Sequence, residues 1–343
     1  MSLMPFTAAQ LAARQTALEA WLGQLTASTI VLQPVSGDAS FRRYFRFHHQ
    51  GASHIAMDAP PSHEDCRPFV ALADRYLAVG VQVPEIVARD LQQGFLWLRD
   101  FGDQLLLPLL TDAAAARHWY PRCLQLLPAI EQVEATEDGH LPAFDEAMLR
   151  REMALFSDWL LPRHLDYQMD AAEQLLWQQL TDLLVANALA QPQRGVHRDY
   201  HARNLMVLSD GSIGVIDFQD AVVGPITYDA VSLLRDCYVA WPDALVDELL
   251  EGFRQQLLAS GVAEAGDAAR FRRWFDLMGM QRHLKASGIF ARLLHRDGKA
   301  GYIADIPRTV GYIIAVGRRY PELTAVIDWL EQRIWPLIQS RCA

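Results

Sequence analysis

Apolar positions recur at helical spacing over residues 7–25, where Leu11, Leu18, Leu22 and Leu25 form one stripe, and this predicts an amphipathic helix. The texture then changes. Residues 29–35 are rich in β-formers, Ser36-Gly37-Asp38-Ala39-Ser40 is turn chemistry, and residues 41–47 alternate aromatic and Arg side chains with period two. That pattern predicts a hairpin. A third strand is expected over 54–58, ending at Pro60-Pro61, then a helix over about 65–79 and strands over 85–90 and 95–99. Beyond Gly102 the period becomes helical, with amphipathic stretches over about 112–134, 145–161, 170–190, 226–240, 243–260, 268–287 and 322–340. A β-rich insert over 195–217 interrupts them. No internal repeat or low-complexity segment is present. The chain therefore reads as α+β and two-lobed: a β-rich N-terminal lobe with a leading helix over residues 1–102, and a mainly helical lobe over 103–343. The joint falls at 98–103, where Arg99-Asp100-Phe101-Gly102-Asp103 breaks the preceding strand.

Length supports two lobes, because 343 residues exceed what one hydrophobic core usually serves. Composition is that of a folded protein, with 51% hydrophobic and 21% charged residues. The net charge of −10 argues against a nucleic-acid partner, which needs clustered Lys and Arg. It leaves room for a local basic pocket that binds a small anion. The four cysteines are scattered, with no paired spacing, and are expected to be reduced thiols. Residues 1–10 lack the features of a signal peptide, and no apolar run reaches the roughly 18 residues needed to span a bilayer. A soluble cytoplasmic chain with no membrane association and no obligate protein partner is the expectation.

The chemistry concentrates in His197-Arg198-Asp199-Tyr200-His201-Ala202-Arg203-Asn204, followed thirteen residues later by Asp217 at the end of the apolar run Ile213-Gly214-Val215-Ile216. The first stretch reads H-R-D-x-x-x-x-N, the catalytic-loop pattern of kinases. Such chemistry needs an Asp facing the acceptor hydroxyl, and an amide oxygen and second carboxylate for Mg²⁺ against the ATP phosphates. A short hairpin over 205–216 is expected to bring Asn204 and Asp217 to one end of a sheet.

His197-Arg198-Asp199 with Asn204, Ile216-Asp217-Phe218, and Gly224-Pro225-Ile226-Thr227-Tyr228-Asp229 together resemble the aminoglycoside/choline kinase-like phosphotransferases. More narrowly, the stretch from Ser36 to Phe45, Met57-Asp58-Ala59-Pro60-Pro61, His201 to Met206 and Gln281-Arg282-His283-Leu284-Lys285 resemble the anomeric kinases of cell-wall amino sugars. The resemblance runs over nearly the whole chain. It implies a two-lobed protein-kinase-like fold, ATP and Mg²⁺ as cofactors, and phosphorylation of the C1 hydroxyl of N-acetylmuramate and N-acetylglucosamine in peptidoglycan recycling. It further implies Asp199 as catalytic base and Asn204 and Asp217 as Mg²⁺ ligands. Asp229, at the start of an apolar helix, reads as a cap or brace for the catalytic loop.

Two departures stand out. The turn around Ser36, Gly37 and Ser40 is not a glycine-rich phosphate loop, although its amides and hydroxyls suit phosphate oxygens. The third strand carries Met57 where the common kinase pattern has a phosphate-binding Lys. Arg43 is the first candidate for the replacement cation and Arg42 the second, with Glu64 as a potential partner. Trp97 and Arg99 are placed on the nucleotide side, before the hinge. A muramate-type substrate carries a lactyl carboxylate, which invites Arg or Lys; Arg203, Arg282 and Lys285 are the candidates. Gln219 and Asp220 are placed to reach sugar hydroxyls, and His197 reads as a core histidine bracing the loop. The rival readings are a kinase of another small alcohol or antibiotic, a protein kinase, and a nucleotide-binding regulator without catalysis. Asp-Phe-Gln in place of Asp-Phe-Gly and the missing Ala-Pro-Glu segment weigh against a protein kinase. The joint presence of Asp199, Asn204 and Asp217 weighs against a silent regulator.

Overall fold

The computed structural model describes residues 6–35 and 41–342, so the turn with Ser36, Gly37 and Ser40 lies outside the described residues. The chain divides into two compact units. The first comprises Met1–Gln104, Ala135–Gly139 and Leu205–Asp220; the second comprises Leu105–Glu134, His140–Asn204 and Ala221–Ala343.

In the first unit, helix α1 (Ala8–Thr26) is opened by a capping box in which Thr7 and Gln10 satisfy each other's backbone N–H. Strands β1 (Gln33–Pro34), β2 (Arg43–His49) and β3 (Ala52–Asp58) precede helix α2 (Arg67–Ala78), which is followed by β4 (Ile86–Asp90) and β5 (Phe95–Arg99). They form an antiparallel sheet in the order β1-β2-β3-β5-β4. Alternation puts Phe45, Phe47, Ala56, Phe95 and Trp97 on one face, against Leu18 and Leu22 of α1. The first strand, expected over 29–35, shrinks to two residues, although Val35 N–H still donates to Tyr44 C=O at 2.9 Å.

The second unit is built around the helix Ala268–Asp297, which is buried along most of its length. It was expected to stop near 287, before Gly288. The chain instead runs through that glycine and stops at Gly298, whose left-handed backbone ends the helix. Gly288 is there for contact: a Cβ would lie 2.2 Å from the backbone carbon of Leu155. Helix Glu146–Leu155 passes at that point into a π-helical stretch, Phe156–His164. The expected helix over 226–240 is short, Tyr228–Leu234, and an unexpected helix spans Ile306–Gly317. All four cysteines are free and buried. Among the described residues no helix is long and apolar enough to cross a membrane.

Candidate active site

The catalytic-loop segment leaves strand Gln193–Val196, which pairs antiparallel with Val222–Pro225. Two buried carboxylates then hold it from behind. Asp229 accepts the backbone N–H of His197 at 2.7 Å and of Arg198 at 3.0 Å. Asp236 accepts the N–H of Ala202 and of Tyr238, both at 3.0 Å. The fully buried Tyr200 donates its hydroxyl to the Cys123 carbonyl at 2.8 Å. These anchors force Arg198 into left-handed backbone, φ 76°, a conformation that a non-glycine residue adopts only when its surroundings impose it. Asp229 thus has the bracing role read from the sequence. Burial pushes its carboxyl up to about 7, against the two N–H donors that favour the charged form. His197 is fully buried and its Nδ1 accepts the Asp199 N–H at 3.3 Å.

Asp199 sits at the turn of this loop. Burial by itself would raise its carboxyl; Lys285, His201, Arg282 and Arg198 outweigh that and hold it at about 2. Asn204 donates its amide to the Asp199 carbonyl at 3.0 Å, which fixes the side chain and directs its oxygen away from that carbonyl. Lys285 and Arg282 both project from the long helix and are buried. Lys285 lies 3.1 Å from Glu152 and 3.2 Å from the Tyr228 hydroxyl. Glu152 also takes Arg198 at 2.6 Å and, through its other oxygen, the Gln281 amide at 3.1 Å. Arg282 lies 3.4 Å from the Cys237 sulfur. Arg203 differs: it is exposed and rests on aromatic rings, with Cζ 3.7 Å from the Tyr238 ring centre and 5.7 Å from that of Tyr302.

In the first unit, the hairpin Leu205–Val207/Ile213–Val215 pairs Leu205, which follows Asn204, with Val215, which stands two residues before Asp217. Phe218 is buried between Phe69 and Tyr76 of α2, at ring distances of 4.7 and 5.7 Å, and anchors the segment that carries Asp217. Asp217 has left-handed backbone, φ 63°. Its carboxylate accepts the Gln219 amide at 2.9 Å and faces the Arg42 guanidinium at 3.4 Å. Gln219 also donates to Asp220 at 3.2 Å.

The paired arginines of β2 and its approach are used differently. Arg43 and Arg14 of α1 both bind Asp58, a carboxylate with no exposure, through Nε contacts of 3.0 and 2.8 Å. That triad ties α1 to the sheet, and spacing alone had not revealed it because Arg14 and Asp58 are 44 residues apart. Met57 is fully buried beside it. Glu64 accepts the Phe41 N–H at 3.0 Å. Trp97 packs on Phe47 and His54 in the core, and its indole N–H has no partner among the described residues; Arg99, two positions on, is exposed.

Each of the two sequence-predicted metal ligands has the chemistry that suits a hard divalent cation. Asn204 and Asp217 offer amide and carboxylate oxygens, the ligands Mg²⁺ takes alongside phosphate oxygens and water. Asp217 already attracts a cationic group, the Arg42 guanidinium. Among the described residues no cluster of three His, Cys, Asp or Glu side chains is arranged to hold a metal without such outside ligands.

The model of the phosphotransferase enzyme family matches residues 31–274. The N-acetylmuramate/N-acetylglucosamine kinase of Pseudomonas aeruginosa is 46% identical over 91% of this chain and 90% of its own length. The Pseudomonas putida kinase of the same name is 45% identical over 89% and 88%. Among solved structures, the ethanolamine kinase of Plasmodium vivax superposes with a TM-score of 0.63 at 11% identity, covering 94% of this chain and 93% of its own. The two-lobed α+β kinase-like fold is thereby established, and the chain belongs to the phosphotransferase enzyme family.

Proposed function

We propose that the protein is an ATP- and Mg²⁺-dependent sugar kinase that phosphorylates the anomeric C1 hydroxyl of N-acetylmuramate and N-acetylglucosamine, acting in the cytoplasm on amino sugars recovered from peptidoglycan. The observation that carries the reading is the braced loop with Asp199 held ionised among buried cations. The name shared by relatives nearly half identical across nine-tenths of the chain supplies the acceptor.

In this reading Asp199 accepts a hydrogen bond from the C1 hydroxyl and orients its oxygen toward the γ-phosphorus of ATP. The new C1–O–P bond forms as the bond to the ADP oxygen breaks, and the hydroxyl proton passes to the Asp199 carboxylate and then to water. A carboxyl at about 2 is a weak base. It serves because a hemiacetal hydroxyl is more acidic than an ordinary alcohol and because orientation contributes much of the rate. Asn204 and Asp217 would hold the metal ion, which when bound neutralises charge on the transferring phosphoryl group.

The test is ATP consumption by the purified protein with N-acetylmuramate, N-acetylglucosamine, choline, an aminoglycoside and a peptide as acceptors. Turnover confined to the two amino sugars, with an alkali-stable but acid-labile product phosphate as expected at C1, supports the proposal. Preferential turnover of choline, the aminoglycoside or the peptide refutes it.

A further inference from the structure

We infer that Arg203 is the receptor for the lactyl carboxylate of N-acetylmuramate, and so the residue that sets the preference between that sugar and N-acetylglucosamine, which lacks the acid. The inference rests on the amino-sugar reading above. Three basic side chains in the second unit stood as candidates for this contact, and the structure separates them. Lys285 is buried, ion-paired to Glu152 at 3.1 Å and hydrogen-bonded to Tyr228 at 3.2 Å. Bringing a second carboxylate to it would mean breaking a buried pair, which is strongly unfavourable. Arg282 is buried against Cys237, and its charge acts on Asp199.

Arg203 is exposed, four residues beyond Asp199 on the same braced loop, and has no carboxylate partner among the described residues. Arg198, Arg235, Arg272 and Arg319 of the same unit are, by contrast, paired with acids. It is held instead by π-faces, with Cζ 3.7 Å from Tyr238 and 5.7 Å from Tyr302. This matters chemically. A guanidinium resting on a ring keeps its N–H donors in its own plane, unspent, and arranged as the fork that matches a carboxylate. The platform is itself fixed. Tyr238 N–H donates to Asp236, the carboxylate that also holds Ala202 N–H, and Tyr302 stacks on Phe290 at 5.6 Å. His201 packs edge-on against Tyr238 at 5.4 Å. The same carboxylate thus positions the catalytic loop and the seat of the arginine, so the carboxylate-binding fork is placed in register with the group that orients C1. The tyrosine faces left over from the arginine offer the apolar surface on which a pyranose ring packs.

The experiment compares kcat/KM for N-acetylmuramate, its lactyl methyl ester and N-acetylglucosamine in the wild type, Arg203→Met and Arg203→Lys. In the wild type the free acid should exceed the ester by roughly tenfold to a hundredfold, the range for a hydrogen bond to a charged group. Arg203→Met should lower the free acid by a similar factor and erase the difference between acid and ester. N-acetylglucosamine should fall by far less, and Arg203→Lys should recover only part of the loss because it lacks the fork. Calorimetric binding of each sugar without nucleotide should follow the same order. An acid-to-ester ratio that survives in Arg203→Met overturns the inference, as does an equal loss for both natural sugars, which would mark Arg203 as a loop support. A wild type that turns over neither sugar overturns the amino-sugar reading itself, and this inference with it.

Discussion

Replacing Glu152 by Gln tests whether the buried charge network beside Asp199 is built as described. Glu152 is 7% exposed, and one of its oxygens meets Arg198 at 2.6 Å and Lys285 at 3.1 Å. At an effective dielectric of about 20, each contact is worth roughly 5 to 6 kcal/mol of gross attraction. Desolvation of the three charges offsets much of that, so the quantity to expect is the cost of stranding the cations, about 3 to 5 kcal/mol. Gln keeps the volume and can still meet Gln281, so no cavity contribution is added. Urea unfolding at pH 7, followed by tryptophan fluorescence, should show Glu152→Gln less stable by about 3 kcal/mol. Combining it with Lys285→Met removes one stranded cation, so the double variant should lose about 1 to 3 kcal/mol less than the sum of the singles. The pH dependence has a definite sign. Burial would raise the Glu152 carboxyl, but Lys285 and Arg198 prevail and lower it from 4.5. A group with a depressed folded value contributes stability above its unfolded value and loses it as pH falls through the folded value. The gap between wild type and variant should therefore be constant from pH 6 to 8 and shrink below pH 4.5. A loss under about 1 kcal/mol, or strict additivity in the double variant, would refute the network as an energetic unit.

Three further outcomes are expected. Asp199→Asn should keep Mg·ATP binding in calorimetry while transfer falls by roughly 10²- to 10⁴-fold, since Asp199 acts on the acceptor; near-normal single-turnover transfer would remove that role. Asp217→Ala should abolish the Mg²⁺-dependent part of nucleotide binding, and an unchanged titration would count against Asp217 as a metal ligand. Arg42 faces Asp217 whereas Arg43 is engaged by buried Asp58, so the two should separate. Arg42→Met should weaken ATP binding by about tenfold, and Arg43→Met should mainly lower the unfolding midpoint. Equal effects of both on ATP would contradict this division.

The architecture was largely legible because its elements are long and strongly periodic. The leading helix, the antiparallel strands and most of the long helices of the second unit fall where the apolar spacing placed them. The failures are instructive. The helix expected over 268–287 runs on through Gly288, which lies mid-helix where a neighbouring backbone comes within contact distance. The helix Ile306–Gly317 was missed although its buried positions Ile306, Val310, Ile313 and Gly317 recur at helical spacing. Local spacing likewise could not show that Arg14 and Arg43 share Asp58, since the three come from different elements.

For the site, the sequence by itself nominated the candidate reacting groups, because phosphoryl transfer demands an Asp, an amide and a second carboxylate at loop-and-hairpin spacing. Those residues are close together in the chain, and short-range spacing survives without any knowledge of packing. What only the tertiary structure decided is which charges are spent. Arg203, Arg282 and Lys285 are equivalent on paper; Glu152, far from Lys285 in sequence, pairs with it and takes it out of reach of a substrate carboxylate. Tyr238 and Tyr302 hold Arg203 out in solvent with its donors unspent. Charge is a property of the residue, but its availability depends on burial and on partners brought together by folding.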